Sequence, residues 1–219
     1  MLIVRHAVVG PFAENTYLAG CSETGEAILI DPGGESARVL AMRDPGGLRL
    51  TGIFLTHGHV DHAAGVAELQ RTLDLPCTVH AADQDWIDSL PQQVEMFGFD
   101  APGESPRIAR HHADGDEVRV GREVARVIHA PGHTRGGSCL FFPAAKVLFS
   151  GDTLFAGSVG RTDLPGGSFD ELEASIRERL LVLGDDVQVF SGHGPGTTIG
   201  DERRMNPFVG EQTRRGRFL

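Results

Sequence analysis

The stretch Thr56-His57-Gly58-His59-Val60-Asp61-His62 constrains this chain more than any other. It packs three imidazoles and one further carboxylate into a run too short to scatter them across a fold. The β-branched, apolar residues 51–55 lead into it, and a helical pattern over 62–73 leads out. The local expectation is strand, loop, helix, with the polar cluster at the strand end. On an extended backbone His57 and His59 point the same way, because side chains alternate with period two. Asp61 and His62, where the helix begins, point to a second, neighbouring position. Imidazole nitrogen and carboxylate oxygen are donors that zinc, iron or manganese accept, so one short loop can serve two metal ions. Reading Asp61 as a helix N-cap and the histidines as surface polar groups would suit a lone histidine; it does not account for four donors at this spacing.

The remaining chain reads as a series of short strands and helices. Strands are expected over 2–9, 15–20 and 26–30, the last followed by the turn Asp31-Pro32-Gly33-Gly34, and together they form an antiparallel start. A helix is expected over 35–43 and a strand over 77–80. Two short helices follow, 82–90 and 92–98, split at Pro91, with Trp86, Phe97 and Phe99 as core or lid aromatics. Hairpins are expected from 117–120 with 123–130, and from 138–142 with 146–150. An amphipathic helix over 169–183, with Ile176, Leu180 and Leu183 on one face, precedes a last strand at 187–191. The tail, with Arg214, Arg215 and Arg217, reads as a solvated basic end. Strand blocks and helices alternate in two halves, so two facing sheets with helices outside would bury both apolar strand faces.

Four apolar strands end on a potential ligand: residues 51–55 on the first loop, 123–130 on His133, 146–150 on Asp152, and 187–191 on His193. Loops at one sheet edge are where sites collect. His133 or His193 alone could be a structural histidine and Asp152 a turn residue, but their joint occurrence points to one shared metal site.

The bulk properties bound the rest. A length of 219 residues suits one α/β domain spanning residues 1–219. The formal net charge of -10 argues against a nucleic-acid partner. Cys21, Cys77 and Cys139 are odd in number and form no C-x-x-C, so they are expected as buried, reduced core residues. Arg5 and His6 interrupt the N-terminal apolar run, and no segment approaches the length of a membrane span. The expectation is a soluble cytoplasmic protein without a membrane partner.

The set His57-x-His59-x-Asp61-His62, His133, Asp152 and His193 resembles the metallo-β-lactamase superfamily. Ile30-Asp31-Pro32-Gly33-Gly34, Pro131-Gly132-His133-Thr134, Gly151-Asp152-Thr153-Leu154-Phe155, Gly160-Arg161-Thr162-Asp163 and Gly192-His193-Gly194-Pro195 look like its glyoxalase II (hydroxyacylglutathione hydrolase) branch, in the short bacterial form. The resemblance implies an α/β fold: an αββα sandwich of two mixed sheets with helices on both outer faces. It implies two divalent metal ions, zinc first, with iron or manganese also accepted. His57, His59 and His133 would hold one, Asp61, His62 and His193 the other, and Asp152 would bridge them. Asp61 and Asp152 would be the catalytic carboxylates, Asp61 with an orienting role for the nucleophile. The activity implied is attack by a metal-activated water on a small-molecule thioester such as S-lactoylglutathione. Arg161 could anchor a substrate carboxylate, or pair with Asp163. The stretch after His193 is too short for the helical domain that helps hold glutathione in the full-length form, which leaves other thioesters open. A rival resemblance is to mononuclear iron persulfide dioxygenases, in which His57, His133 and Asp152 would hold the iron. Nucleic-acid processing and β-lactam hydrolysis are further activities of the superfamily, less suited to this charge and these motifs.

Overall fold

In a computed structural model describing residues 1–101 and 103–212, the chain begins as a hairpin of β1 (Leu2–Val9) and β2 (Glu14–Cys21), paired antiparallel from Leu2↔Cys21 to Val9↔Glu14. β3 (Glu26–Ile30) adds antiparallel to β2. From there the first sheet turns parallel, which requires crossover connections, and the sequence supplies a helix for each. α1 (Ser36–Ala41) leads to β4 (Arg49–Phe54). α2 (Val60–Ala63) and α3 (Val66–Leu73) lead to β5 (Cys77–His80). α4 (Gln84–Asp88) and α5 (Leu90–Phe97) lead to β6 (Ile108–His112). The six strands lie in chain order.

The second sheet starts as a meander: β7 (Glu117–Val120), β8 (Glu123–His129), β9 (Ser138–Phe142) and β10 (Val147–Gly151), all antiparallel. A small ribbon of β11 (Leu154–Phe155) and β12 (Ser158–Val159) follows. α6 (Phe169–Ser175), continued by a wider turn over Ile176–Leu180, returns the chain to β13 (Gln188–Ser191), parallel to β10. β14 (Thr197–Thr198) and α7 (Ile199–Met205) close the described chain.

Strand alternation explains the layers. In β3, Ile28 and Ile30 face the opposite sheet and join Phe54, Val127, Leu140 and Phe149 in the inter-sheet core. Ala27 and Leu29 face the other way, against Val39, Leu69, Ile87 and Leu90 from the helices. A third cluster, including Leu172, Ile176 and Leu180 from α6 and its extension, covers the outer face of the second sheet. Helix, sheet, sheet, helix is therefore the order of layers, as the sequence predicts. The three cysteines are buried and free. No helix among the described residues is long and apolar enough to cross a membrane.

Several local expectations change. The helix expected over 62–73 is two helices, and it starts earlier, at Val60. Gly65 separates them: its backbone N–H donates to the Pro32 carbonyl at 3.0 Å, and a Cβ there would lie 2.5 Å from that oxygen. The break between α4 and α5 falls at Ser89, not Pro91. Pro91 sits in the first turn of α5, where its missing N–H removes no helical bond. The helix expected over 169–183 loses regular α pitch after Ser175. β6 and the β14–α7 pair, which the sequence pattern does not announce, form at sheet edges. The basic residues at 214–217 lie outside the described residues.

Candidate metal centre

Every loop that carries a predicted donor leaves the C-terminal end of a strand on the same edge of the sandwich: β4, β8, β10 and β13. The sequence-predicted donors therefore meet. His57 Nε2 and His59 Nδ1 lie 3.2 and 3.0 Å from His133 Nε2. On the other side, Asp61 Oδ2 is 3.8 Å from His62 Nε2 and 3.2 Å from His193 Nε2. Asp152 lies between the two groups. Its Oδ1 is 3.4 Å from His62 Nε2, and its Oδ2 is 3.7 Å from His133 Nε2 and 3.5 Å from His193 Nε2. His57, His59, His62 and His133 are buried, while Asp61, Asp152 and His193 keep partial access to solvent.

The outer nitrogens show that this is a donor cluster and not a mutually bonded knot. His133 Nδ1–H donates to the Arg161 carbonyl at 2.7 Å, and His193 Nδ1–H to the Phe12 carbonyl at 3.2 Å. His62 Nδ1 is 3.0 Å from Asp31 Oδ2. The Thr56 hydroxyl donates to Asp31 Oδ2 at 2.6 Å, so it accepts from His57 Nδ1 at 3.1 Å. Assigned from these partners, the four tautomers carry hydrogen on Nδ1 and turn the Nε2 lone pair inward. Fixing a ligand histidine through its remote nitrogen is how protein metal sites set ring direction and basicity. Three imidazole lone pairs converging at 3.0–3.2 Å repel one another unless a cation lies among them. Tetrahedral zinc–nitrogen bonds of about 2.0–2.1 Å place neighbouring nitrogens roughly 3.3 Å apart, close to the spacing seen. Among the described residues, the inward atoms His62 Nε2 and Asp152 Oδ1 are buried without a hydrogen-bond partner, as ligand atoms would be, and so is the outer nitrogen of His59. The residues fit a His/Asp metal cluster.

Electrostatics divide the cluster. Burial, reinforced by the neighbouring imidazoles, holds His57 well below its usual pKa and His59 down at about 3, so both stay neutral donors. Burial would also lower His62, but Asp152, Asp61 and Asp31 around it raise it well above the ordinary value, so that without a metal it holds a second proton on Nε2, which a bound cation would displace. Burial would raise Asp152, yet His62, His133 and His193 hold its carboxyl far below the usual range.

Supporting residues appear that the sequence pattern does not single out. Asp31, expected only as a turn residue, accepts from the Thr56 backbone at 2.7 Å as well as from Thr56 and His62 side chains. Asp83 is fully buried and accepts from Gly58 N–H at 3.0 Å, Thr134 hydroxyl at 2.8 Å and Gly136 N–H at 2.6 Å. It thereby ties the loop of His57 and His59 to that of His133. The β1–β2 hairpin does the same for His193: Asn15 donates to the Ser191 and Gly194 carbonyls, and Tyr17 to Ser191. A strand-end Asp before Pro-Gly-Gly is a readable signal for Asp31; Asp83, inside a short helical turn, carries none. Gly132 is needed for a different reason. At φ +129 it lies against the α6 backbone, and a Cβ would meet Leu172 N at 2.2 Å. Arg161 sits at the rim with its guanidinium on Asp163, both contacts 2.7 Å.

Comparison with known proteins agrees with this geometry. The family model described as the Metallo-beta-lactamase superfamily matches residues 9–193. Hydroxyacylglutathione hydrolase GloC of Haemophilus influenzae is 35% identical over 94% of this chain and 97% of its own length. A crystal structure of TTHA1623 in a di-iron-bound form superposes with a TM-score of 0.85 at 40% identity, covering 94% of this chain and 100% of that one. The BLEG-1 B3 metallo-beta-lactamase structure does so at 0.82 and 33% identity, covering 94% and 99%.

Proposed function

This chain belongs to the metallo-beta-lactamase superfamily, and from that premise we propose that it is a dinuclear hydrolase of small-molecule thioesters, acting like a hydroxyacylglutathione hydrolase. The observation that carries the reading is Asp152, whose two oxygens face both donor sets. His57, His59 and His133 would hold one divalent ion and Asp61, His62 and His193 the second, with zinc, iron or manganese each compatible with such donors. The likeness to GloC over nearly the whole chain supports the thioester, and the likeness to a di-iron protein keeps iron alongside zinc.

Bound ions of this kind acidify water and polarise a carbonyl oxygen. The chain's own residues set the geometry. Asp152, lying between the two donor sets, would hold them together beneath the reacting carbonyl. Asp61, at the open side with His193, orients the attacking water. Thr56, Asp31 and the Arg161 carbonyl keep the imidazoles turned inward. In the overall step, the water oxygen forms the new bond to the carbonyl carbon. The carbon–sulfur bond breaks with its electron pair on sulfur, giving a carboxylate, a thiol and one released proton. The thiolate is a good leaving group, so no dedicated general acid is required.

The test is thiol release from S-lactoylglutathione by protein loaded with two metals, compared with and without air. Equal rates in both, with zinc or manganese replacing iron, are expected. Oxygen uptake with glutathione persulfide and no thiol release from any thioester would instead establish the mononuclear iron reading, with His57, His133 and Asp152 as its triad.

A further inference from the structure

Above the donor cluster lies a cavity of about 680 Å³, a size that suits a drug-sized ligand. Its floor is His59, Asp61, His133, Asp152 and His193, and its walls are mostly apolar: Phe12, Trp86, Met96, Phe97, Phe155 and Leu164. Three of these stand exposed at the mouth, Met96 most of all at 76%. Exposed large apolar side chains gathered around a pocket mark a binding surface.

The polar wall groups are largely spoken for. Gln93 accepts from Val60 N–H at 3.0 Å and donates to the Trp86 carbonyl at 2.7 Å, and the Ser89 hydroxyl donates to that same carbonyl. Arg161 is the only Lys or Arg lining the cavity among the described residues, and both its contacts go to Asp163. Glutathione carries two carboxylates. Here they would meet a single guanidinium whose charge Asp163 already balances, in a protein of net charge -10.

Resting on the thioester reading above, we infer that this cavity takes an apolar acyl chain, so that the preferred substrate is an aliphatic acyl thioester rather than a short hydroxyacyl one. The carbonyl must sit at the floor. Of the two arms that leave it, a thiol arm such as glutathione is polar and charged whereas an aliphatic acyl arm is wholly hydrocarbon, and so the acyl arm fills the walls formed by α4, α5 and the loop between β1 and β2 at Phe12. The thiol arm then leaves through the mouth. Met96 and Phe97 on α5 set how long a chain is accommodated.

The experiment uses two readouts on the metal-loaded protein. The first is kcat/KM for acetyl, butyryl, hexanoyl and octanoyl thioesters of one neutral thiol, N-acetylcysteamine. Burial of each methylene predicts a rise of about fourfold per carbon until the cavity fills. The second is the emission of Trp86, the only tryptophan, whose ring is 4.5 Å from that of His59. Octanoate should shift it saturably, S-methylglutathione should not, and Met96→Glu should weaken the octanoate response at least tenfold. In the same variant the octanoyl-to-acetyl ratio of kcat/KM should fall. Thiol release that is flat or declining with chain length, or Trp86 responding to S-methylglutathione and not to octanoate, overturns the inference while leaving thioester hydrolysis standing. Saturable octanoate binding with no thiol release at any length overturns both the acyl thioester substrate and the hydrolase reading, and leaves only an apolar cavity.

Discussion

Two groups of histidines occupy the same end of this molecule, and only one of them is built for a metal. In the donor cluster, His133 brings its Nε2 to 3.2 Å from a ring nitrogen of His57 and 3.0 Å from one of His59, with the rings nearly perpendicular. The second group bridges the two sheets beside it. There His80 stacks face to face on His129, 4.2 Å apart and 7° from parallel, and His112 stacks on Phe54 at 4.4 Å and 13°. Its nitrogens go elsewhere: His129 Nε2–H donates to the Arg135 carbonyl, and His80 Nδ1 accepts from Ala82 N–H. His112 Nδ1 reaches Thr78, while its Nε2 is buried without a partner among the described residues. Perpendicular rings converge their lone pairs on a point, where a cation can sit. Parallel rings direct them apart and gain packing instead. Both groups gather several imidazoles; the carboxylates and the ring directions distinguish them.

The sharpest way to break the contrast is Asp152→Ala. It removes the carboxylate facing both donor sets and should lower thioester kcat/KM by at least about 10³-fold, at or beyond the loss from one preorganised electrostatic group. Metal content measured by elemental analysis should fall to one ion per chain or fewer. Near wild-type turnover with two ions retained would remove Asp152 from the centre of the site.

Asp83→Ala tests the tie between loops rather than the ligands. Two backbone N–H groups and one hydroxyl would lose their buried acceptor, costing about 3 kcal/mol in all if each leaves roughly 1 kcal/mol uncompensated. Urea unfolding of the metal-free protein should show this loss, and the affinity for metal should fall about 10–100-fold as for other outer partners. Unchanged stability and affinity would mean that the loops hold their places without Asp83.

The smallest effect belongs to the stacked group. Burial, with help from His80 and Arg110, lowers His112 to about 3, whereas the unfolded chain protonates it near 6.5. A base with depressed folded pKa contributes stability that is complete above the unfolded value. That stability is lost as pH falls from about 6.5 towards 3, by about 1.4 kcal/mol per unit. His112→Phe keeps a ring to stack on Phe54 and has nothing to titrate. Metal-free variant and wild type should therefore separate as the pH drops from about 7 to 5.5, the wild type losing more. Parallel loss in both would place the acid sensitivity in the other histidines.

Much of the donor cluster is legible in the amino-acid order alone. The seven residues His57, His59, Asp61, His62, His133, Asp152 and His193 each follow an apolar strand, and a strand end is a local property of sequence. Their support is not legible there. Asp83 reads as an ordinary acid in a short helical turn, and its three partners come from residues 58, 134 and 136. Edge elements escape the sequence pattern for a related reason: β6 is polar along most of its length and owes its conformation to pairing with β5.

By itself, the sequence determined the layer order and the chemistry on offer. Alternation of apolar residues in strands such as β3 and helical spacing in α6 are written in short range, and so are four strand-end loops bearing imidazole and carboxylate. Only the tertiary structure decided which nitrogens converge and which stack, because ring direction depends on remote partners such as Asp31 and the Arg161 and Phe12 carbonyls. It also decided the surroundings of Arg161. Sequence offered a substrate anchor or an ion pair with Asp163 two residues on; the fold kept that local pair and brought the apolar walls beside it from Phe12, Trp86 and Met96, since side chains distant in the chain become neighbours only when the sheets close.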